Sequence, residues 1–135
     1  MNFYISLFKN SKVNGVSRGP DGKVFTVSFE LDGQEFMGLN AGPQFKFNEA
    51  VSMFVNCENQ ADVDHFWNAL IADGGEESMC GWCKDKFGLW WQIVPKQLGE
   101  LMGDPNPAKA QSVTQAMLQM KKIIVADLQK AYDGV

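Results

Sequence analysis

Apolar and polar residues alternate most regularly between residues 24 and 31. The apolar positions are Phe25, Val27, Phe29 and Leu31, and the polar positions between them are Thr26, Ser28 and Glu30. Because successive side chains of a strand point to opposite faces, this alternation predicts a strand with one buried face. The dipeptide Asp32-Gly33 then predicts a tight turn, followed by an antiparallel strand over residues 34–40.

A second alternating segment follows Gly88, the residue expected to supply a positive φ angle at a turn. It predicts a strand over residues 89–94, paired as a hairpin with a strand over residues 77–84. One face would carry Trp90, Gln92 and Val94, and the other face Leu89, Trp91 and Ile93. Gln92 is therefore an uncharged amide among large apolar side chains.

Helical periodicity is clearest over residues 61–72, where Val63, Phe66, Trp67 and Leu70 form one apolar stripe. Shorter patterns and turn residues predict the remaining elements. These are helices over residues 2–8, 96–102, 108–120 and 124–132, strands over residues 12–18 and 51–57, and a loop over residues 41–49.

The elements occur in the order helix-β-β-β, then β-helix-β-β, then a helical tail, which is a weak repeat in pattern. We therefore predict an α+β fold with two curved sheets and helices on their convex sides. The chain of 135 residues fits one domain. Its first module would span about residues 1–48, its second about 49–95, and its C-terminal helices 96–135.

Composition and charge exclude several classes of partner. Sixteen acidic and twelve basic residues give a net charge of −4, and no basic cluster follows a predicted face, so we expect no nucleic-acid partner. No apolar run approaches about 20 residues and no signal segment is visible, so we expect no membrane partner. The default expectation is a soluble, cytoplasmic protein.

The three cysteines do not predict a disulfide framework. Cys80 and Cys83 have the spacing of a redox pair, but such pairs lie at a helix N-terminus, and these lie in a predicted strand. Two thiols and the distant His65 also leave a zinc site short of its four ligands. His65 itself is expected on the solvent flank of its helix.

Four segments together span nearly the whole chain and carry a family resemblance. They read NFYISLF, FELDGQEFMGLNAGPQFKFNEAVSMFV, CGWCKDKFGLWWQIVPKQLGELM and PAKAQSVTQAMLQMKKI. They resemble the PhnB-like branch of the vicinal-oxygen-chelate (glyoxalase and bleomycin-resistance) superfamily, often labelled "3-demethylubiquinone-9 3-methyltransferase". The resemblance implies paired βαβββ modules in a homodimer. No Gly-rich loop between strand and helix is present to bind S-adenosylmethionine, so the methyltransferase label carries little weight.

The chain departs from this family pattern at three points. Relatives open with a strand before the NFY helix, so we expect the first module to lack its opening strand, through truncation or because a partner chain covers the gap. Gln44 replaces a histidine of the loop. Gln92 replaces the metal-binding glutamate, while Asn40 and Ala50 lie near the other expected ligand positions. Because amides supply no charge, we expect no catalytic metal and no other cofactor.

The candidate ligand-binding residues follow from the apolar face and its amides. Asn40, Trp90 and Gln92 would line a concave cavity, with Phe45 and Phe47 near its mouth. Trp90 could equally pack against the C-terminal helices, and Phe45 and Phe47 could form a hydrophobic plug. Glu30 is either a pocket carboxylate, and then the best general-base candidate, or a solvated residue at a strand end. No residue is assigned a catalytic role.

Two functional classes follow. The leading hypothesis is a metal-independent protein that binds a small molecule in the cavity of a homodimer. The alternative is a divalent-metal-dependent lyase, isomerase or dioxygenase-type enzyme, as the superfamily suggests. A third, weaker possibility is an interaction module in which only the dimer surface matters. Whether the protein is an enzyme, and what its substrate is, stay open at this stage.

Overall fold

The computed structural model describes all 135 residues, whose elements fall into two units, Met1–Lys46 and Phe47–Val135. The first unit contains α1 (Asn2–Leu7), β1 (Lys12–Arg18), β2 (Val24–Leu31) and β3 (Gln34–Leu39). The second contains β4 (Ser52–Cys57), α2 (Gln60–Ile71), β5 (Glu76–Glu77), β6 (Trp82–Lys84), β7 (Trp90–Pro95), α3 (Lys96–Met102), α4 (Pro107–Leu118) and α5 (Val125–Asp133). That the whole chain is one domain stays a prediction.

The sheet of the first unit is antiparallel in the order β1-β2-β3. Its alternation is the one that the sequence predicts, since Phe29 and Leu31 are buried on one face of β2. The helix α1 packs on β2 and buries Leu7. Asp32 and Gly33 both have positive φ angles, which give the two-residue turn a twist that matches the strands it joins.

The second unit holds a four-stranded sheet in the order β4-β7-β6-β5. The central strand β7 is parallel to β4 and antiparallel to β6. The helix α2 contacts β7 and β6, and its apolar stripe buries Val63, Trp67 and Leu70. Trp91 and Ile93 are buried as well, which confirms the face that the sequence predicts for them.

The prediction of one strand over residues 77–84 is wrong. Two short strands, β5 and β6, pair with each other there, so that Glu76 lies opposite Lys84. Cys80 and Gly81 both have positive φ angles and reverse the chain between the two strands. A Cβ at position 81 would lie 3.0 Å from the Ile93 carbonyl oxygen, which explains the glycine.

The C-terminal helices α3, α4 and α5 enclose a core of their own, and its fully or largely buried members are Leu98, Val113, Ile123 and Leu128. The segment between α4 and α5 is also bonded to the sheet hairpin, because the Cys80 and Gly81 amides donate to the Met120 and Lys121 carbonyls. The α+β class, the complete βαβββ arrangement of the second unit and the helical C-terminal extension are confirmed. None of the helices combines the length and apolarity needed to cross a bilayer.

Candidate functional site

Gln92 lies at the centre of one face of the second sheet, on the side opposite the buried Trp91 and Ile93. The parallel register places Phe54 of β4 beside it, and the antiparallel register places Trp82 of β6 on its other side. Its amide nitrogen donates to Ser52 Oγ at 2.9 Å. The amide is therefore held in place by a neighbouring strand and is half-buried among aromatic side chains.

The same face carries a band of aromatic surface around the amide. Trp82 and Trp90 are half-buried, and the Phe54 side chain is 54% exposed. Aromatic rings at such a surface bury large apolar areas against a ligand at small entropic cost. We name Phe54, Trp82, Trp90 and Gln92 the aromatic–amide face.

One cation borders the aromatic–amide face. Lys84 Nζ lies 5.8 Å from the centroid of the Trp90 ring and 3.1 Å from Glu76 Oε2. The ammonium group thus rests on the edge of the aromatic band while its charge is partly balanced by a carboxylate. An anionic group of a ligand could compete with Glu76 for this lysine.

The β6–β7 hairpin that carries Trp82 and Trp90 is held by a buried carboxylate. Asp85 is 1% exposed and accepts hydrogen bonds from the Phe87 and Leu89 amides at Oδ1 and from Trp91 Nε1 at Oδ2. All three bonds join residues of one turn and its strand. They fix the register of β7, and through it the position of Gln92.

Asn40 and Glu30 are candidate residues of the first unit, and the structure does not bring them together. Asn40 follows β3 in register with Phe25, whereas Glu30 lies on the face of Thr26 and Ser28, so the two side chains lie on opposite faces of the sheet. Asn40 Nδ2 donates to the Val24 carbonyl at 3.0 Å.

The Glu30 carboxylate takes part in contacts across the first sheet. It accepts from Asn14 Nδ2 at 3.3 Å and lies 3.7 Å from Lys12 Nζ. The carboxylate is thus held by two side chains of the edge strand β1, and its role in a pocket stays a prediction.

Phe45 and Phe47 lie in the segment between β3 and β4, which has no helix or strand. Phe45 is 86% exposed and Phe47 is 63% exposed. Neither ring plugs a core. Both remain available for contact with a ligand or a second chain, as the sequence-based hypothesis of a cavity mouth requires.

An open depression of about 550 Å³ lies in the first unit, at the turn between β1 and β2. Its lining consists of Gly19, Pro20, Asp21, Lys23, Val24, Phe25 and Asn40. Asn40 is the one predicted site residue that it contains, and that amide already bonds to the backbone of the turn. The depression is therefore the open surface of a turn, and Asn40 is the one candidate ligand-binding residue in its lining.

The donor set does not fit a bound metal ion. No three His, Cys, Asp or Glu side chains lie close enough together to hold one, and the position of the expected glutamate is occupied by Gln92, whose amide is bonded to Ser52. We therefore derive no step through a metal.

The three cysteines are free, and two of them lie in the interior of the second unit. Cys57 and Cys83 are buried, and burial raises the pKa of each thiol to about 12. A thiol that stays protonated is a poor nucleophile and a poor metal ligand.

Sequence reasoning missed three neighbours of Gln92, namely Ser52, Phe54 and Trp82. Trp82 lies opposite Gln92 because the hairpin closes on the pair Asp85–Leu89, a register that the residues of the turn alone do not give. Ser52 and Phe54 reach Gln92 only through the parallel pairing of β4 with β7. Periodicity within a strand carries no information on which strand lies beside it.

The chain is similar to a known protein family and to proteins of known structure. The model of the 3-demethylubiquinone-9 3-methyltransferase family matches residues 1–94. The chain belongs to this family. Among solved structures, a PhnB protein from Bacillus cereus that bears the same methyltransferase name is 33% identical, with a TM-score of 0.65 over 70% of this chain and 87% of that one.

A protein of known structure from Pseudomonas aeruginosa shares the fold of this family member at 18% identity, with a TM-score of 0.53 over 70% of this chain and 84% of that one. No curated protein matches the chain. The family match ends at residue 94, so the helices α3 to α5 lie beyond it. Membership in this PhnB-like family and a glyoxalase-like fold are thus established.

Proposed function

We propose that this protein binds a small, flat organic molecule on the aromatic–amide face of its second sheet and that it works as a homodimer without a catalytic metal. The observation that carries this proposal is the position of Gln92 between Phe54 and Trp82. An amide among aromatic rings offers a donor and an acceptor at one point of an otherwise apolar surface.

The chemistry of the face narrows the ligand class. The indole and phenyl rings favour a flat or apolar body, and Gln92 favours a hydroxyl or carbonyl group at its centre. Lys84 favours a negative charge at the rim, beside Trp90. An aromatic or conjugated carboxylate satisfies all three requirements.

The family's methyltransferase name is not carried over to this chain. The connection from β4 to α2 contains Glu58 and Asn59 and no glycine. The Asn59 side chain accepts from the Asp62 amide, and Asp62 Oδ2 accepts from the Glu58 amide. The start of the helix is thus closed by its own side chains, in place of a Gly-rich cofactor loop.

The four tryptophans supply the test. A set of hydroxybenzoates and related aromatic carboxylates is titrated into the ¹⁵N-labelled protein while the indole N–H signals are followed by NMR. We expect the Trp82 and Trp90 signals to shift with saturation. The Trp67 and Trp91 signals serve as internal controls, because these side chains are buried and bonded to Glu77 and Asp85.

A variant then tests the role of the amide. Gln92→Leu keeps the size of the side chain and removes its hydrogen-bonding groups, so we expect affinity to fall about tenfold. Gln111→Leu, a change at an exposed position of α4, is the matched control. Equal shifts of all four indoles, or no shift with any compound of the set, would contradict the proposal.

A further inference from the structure

The loop between β5 and β6 is held from outside its own sheet. The Cys80 amide donates to the Met120 carbonyl at 2.7 Å, and the Gly81 amide donates to the Lys121 carbonyl at 2.8 Å. Both acceptors belong to the segment between α4 and α5, residues 119–124, which we name the linking segment. The loop is therefore supported by a part of the chain that lies beyond the family match.

These bonds replace part of the normal pairing between β6 and β7. The register places Gly81 opposite Ile93, next to the pair Trp82–Gln92. In a regular antiparallel ladder, two residues at such a position exchange two hydrogen bonds. Only the bond from the Ile93 amide to the Gly81 carbonyl, at 2.8 Å, is present, because the Gly81 amide donates to Lys121. The end of β6 is thus held by the linking segment as well as by β7.

Trp82 depends on this support for its position relative to Gln92. The alternation of an antiparallel ladder makes Trp82 and Gln92 a pair without mutual backbone bonds. The Trp82 amide instead donates to the Met79 carbonyl, and the Trp82 carbonyl accepts from the Ser78 amide. A shift of the loop over residues 78–81 therefore moves the Trp82 ring relative to the Gln92 amide.

The linking segment is itself fixed against α2. Gln60 Nε2 donates to the Ile123 carbonyl at 3.0 Å, and Gln60 Oε1 accepts from the Val125 amide at 2.8 Å. The Ile123 side chain is fully buried, and its Cγ1 atom lies 3.1 Å from the place of a Cβ at position 81. The Gly81 backbone therefore packs directly on Ile123, and the position of the linking segment fixes that of the loop.

We propose that the linking segment, held by Gln60, positions Trp82 against Gln92 and so sets the affinity of the aromatic–amide face for its ligand. Gln60 lies on α2, which packs on the opposite face of the sheet, so it acts through the linking segment as a positioning residue. Ligand binding here rests on the proposed function, whereas the position of Trp82 can be measured without a ligand. Because coupling is reciprocal, a ligand beside Trp82 also strengthens the docking of the linking segment.

Hydrogen exchange of the free, full-length protein, followed by NMR, tests the positioning directly. We expect Gln60→Ala to raise the exchange rates of the Cys80 and Gly81 amides at least threefold relative to that of the Leu89 amide. The Leu89 amide is bonded at the other end of the hairpin and reports any general loss of stability. We also expect ¹⁵N relaxation to show a more mobile Trp82 indole.

Asn59→Ala is the matched control. Asn59 lies one residue before Gln60 and accepts a hydrogen bond from the Asp62 amide, so its loss also weakens the start of α2. That bond stays within α2 and does not reach the linking segment. We expect Asn59→Ala to change neither the relative exchange of the two loop amides nor the motion of the Trp82 indole. Equal effects of the two variants, or no effect of Gln60→Ala, would overturn the positioning role.

A second pair of variants acts on the loop itself. Gly81 has a φ angle of 83° and Gly22, in the first unit, has one of 76°, so alanine causes similar backbone strain at either position. Only at position 81 would the added Cβ also meet Ile93 and Ile123, whereas at position 22 it would meet nothing within 4 Å. We expect Gly81→Ala to shift the Trp82 indole signal and Gly22→Ala to leave it in place. An unmoved Trp82 signal in Gly81→Ala would overturn the inference.

The titration with hydroxybenzoates then measures the effect on binding. We expect Gln60→Ala to weaken the tightest-binding compound of the set about threefold to tenfold, and that compound to slow exchange of the Gly81 amide in the wild type by a similar factor. Unchanged affinity in a variant whose Trp82 has become mobile would overturn the coupling. If no compound binds the wild type, the proposed function is wrong, and the exchange rates still decide whether the linking segment positions Trp82.

Discussion

The indole N–H of Trp91 donates to the Asp85 carboxylate at 2.9 Å, in the interior of the second unit. Asp85 is the one charged side chain of the buried set. Burial of a carboxylate is costly unless its oxygens are bonded, and both Asp85 oxygens accept hydrogen bonds here. A buried ionisable group that looks like a catalytic residue is therefore explained by the turn it stabilises.

Asp85→Ala should destabilise the protein by about 2–3 kcal/mol, because it leaves the Trp91 indole and two backbone amides without their acceptor. Urea unfolding followed by fluorescence measures this change. Asp21→Ala is the control, since Asp21 accepts a single bond from the Lys23 amide in an exposed turn. Equal losses of unfolding free energy in the two variants would contradict the larger contribution expected from the buried hydrogen bonds.

Thiol labelling should separate the three cysteines. We expect a disulfide reagent at pH 8 to modify Cys80 first and to leave Cys57 and Cys83 unmodified until the protein unfolds, because their pKa values are raised to about 12 by burial. Counting labelled thiols by mass spectrometry, with and without urea, gives the answer. Rapid labelling of Cys83 in the folded protein would contradict the structure.

Gln60 joins α2 to the C-terminal helices. Its side chain donates to the Ile123 carbonyl at 3.0 Å and accepts from the Val125 amide at 2.8 Å. Gln60→Ala should cost about 1–3 kcal/mol of stability and speed hydrogen exchange of the Val125 amide. Gln129→Ala removes an exposed contact with Asp133 and should change neither quantity.

Acid should also weaken the contact between α2 and the segment before α5, where Lys122 donates to Asp64. The hydrogen bond from Lys122, together with one from Gln60, holds the pKa of Asp64 below its usual value of 3.8. A carboxyl group with a lowered folded-state pKa stabilises the fold above the unfolded value and loses this contribution as pH falls through the folded value.

We therefore expect the unfolding free energy to decrease below about pH 4, and Asp64→Asn to remove part of that decrease. The Asp64 side chain is 46% exposed, so the difference should stay under about 1 kcal/mol. Denaturant titrations from pH 2.5 to 7 measure it. Gln111→Ala, an exposed change on α4 that removes no titratable group, is the control.

The strands and helices of this chain were predictable because their signals are local. Alternation along residues 89–94 correctly assigned Trp91 and Ile93 to the buried face and Trp90 and Gln92 to the other. The turn at Asp32-Gly33 was predictable for the same reason, since short-range sterics select residues that tolerate positive φ angles. The reversal at Cys80 and Gly81 was missed, because the amides of that turn bond to carbonyls some forty residues later in the chain.

The sequence by itself determined the family, the α+β class and which face of each strand is apolar, because these depend on residue type and on spacing within one element. Only the tertiary structure decided that Ser52 and Phe54 border Gln92, since pairing between β4 and β7 brings together residues about forty positions apart. The tertiary structure also decided where Asn40 and Glu30 lie relative to each other. Residue chemistry suggested one site for them, and the register of β2 with β3 placed them on opposite faces.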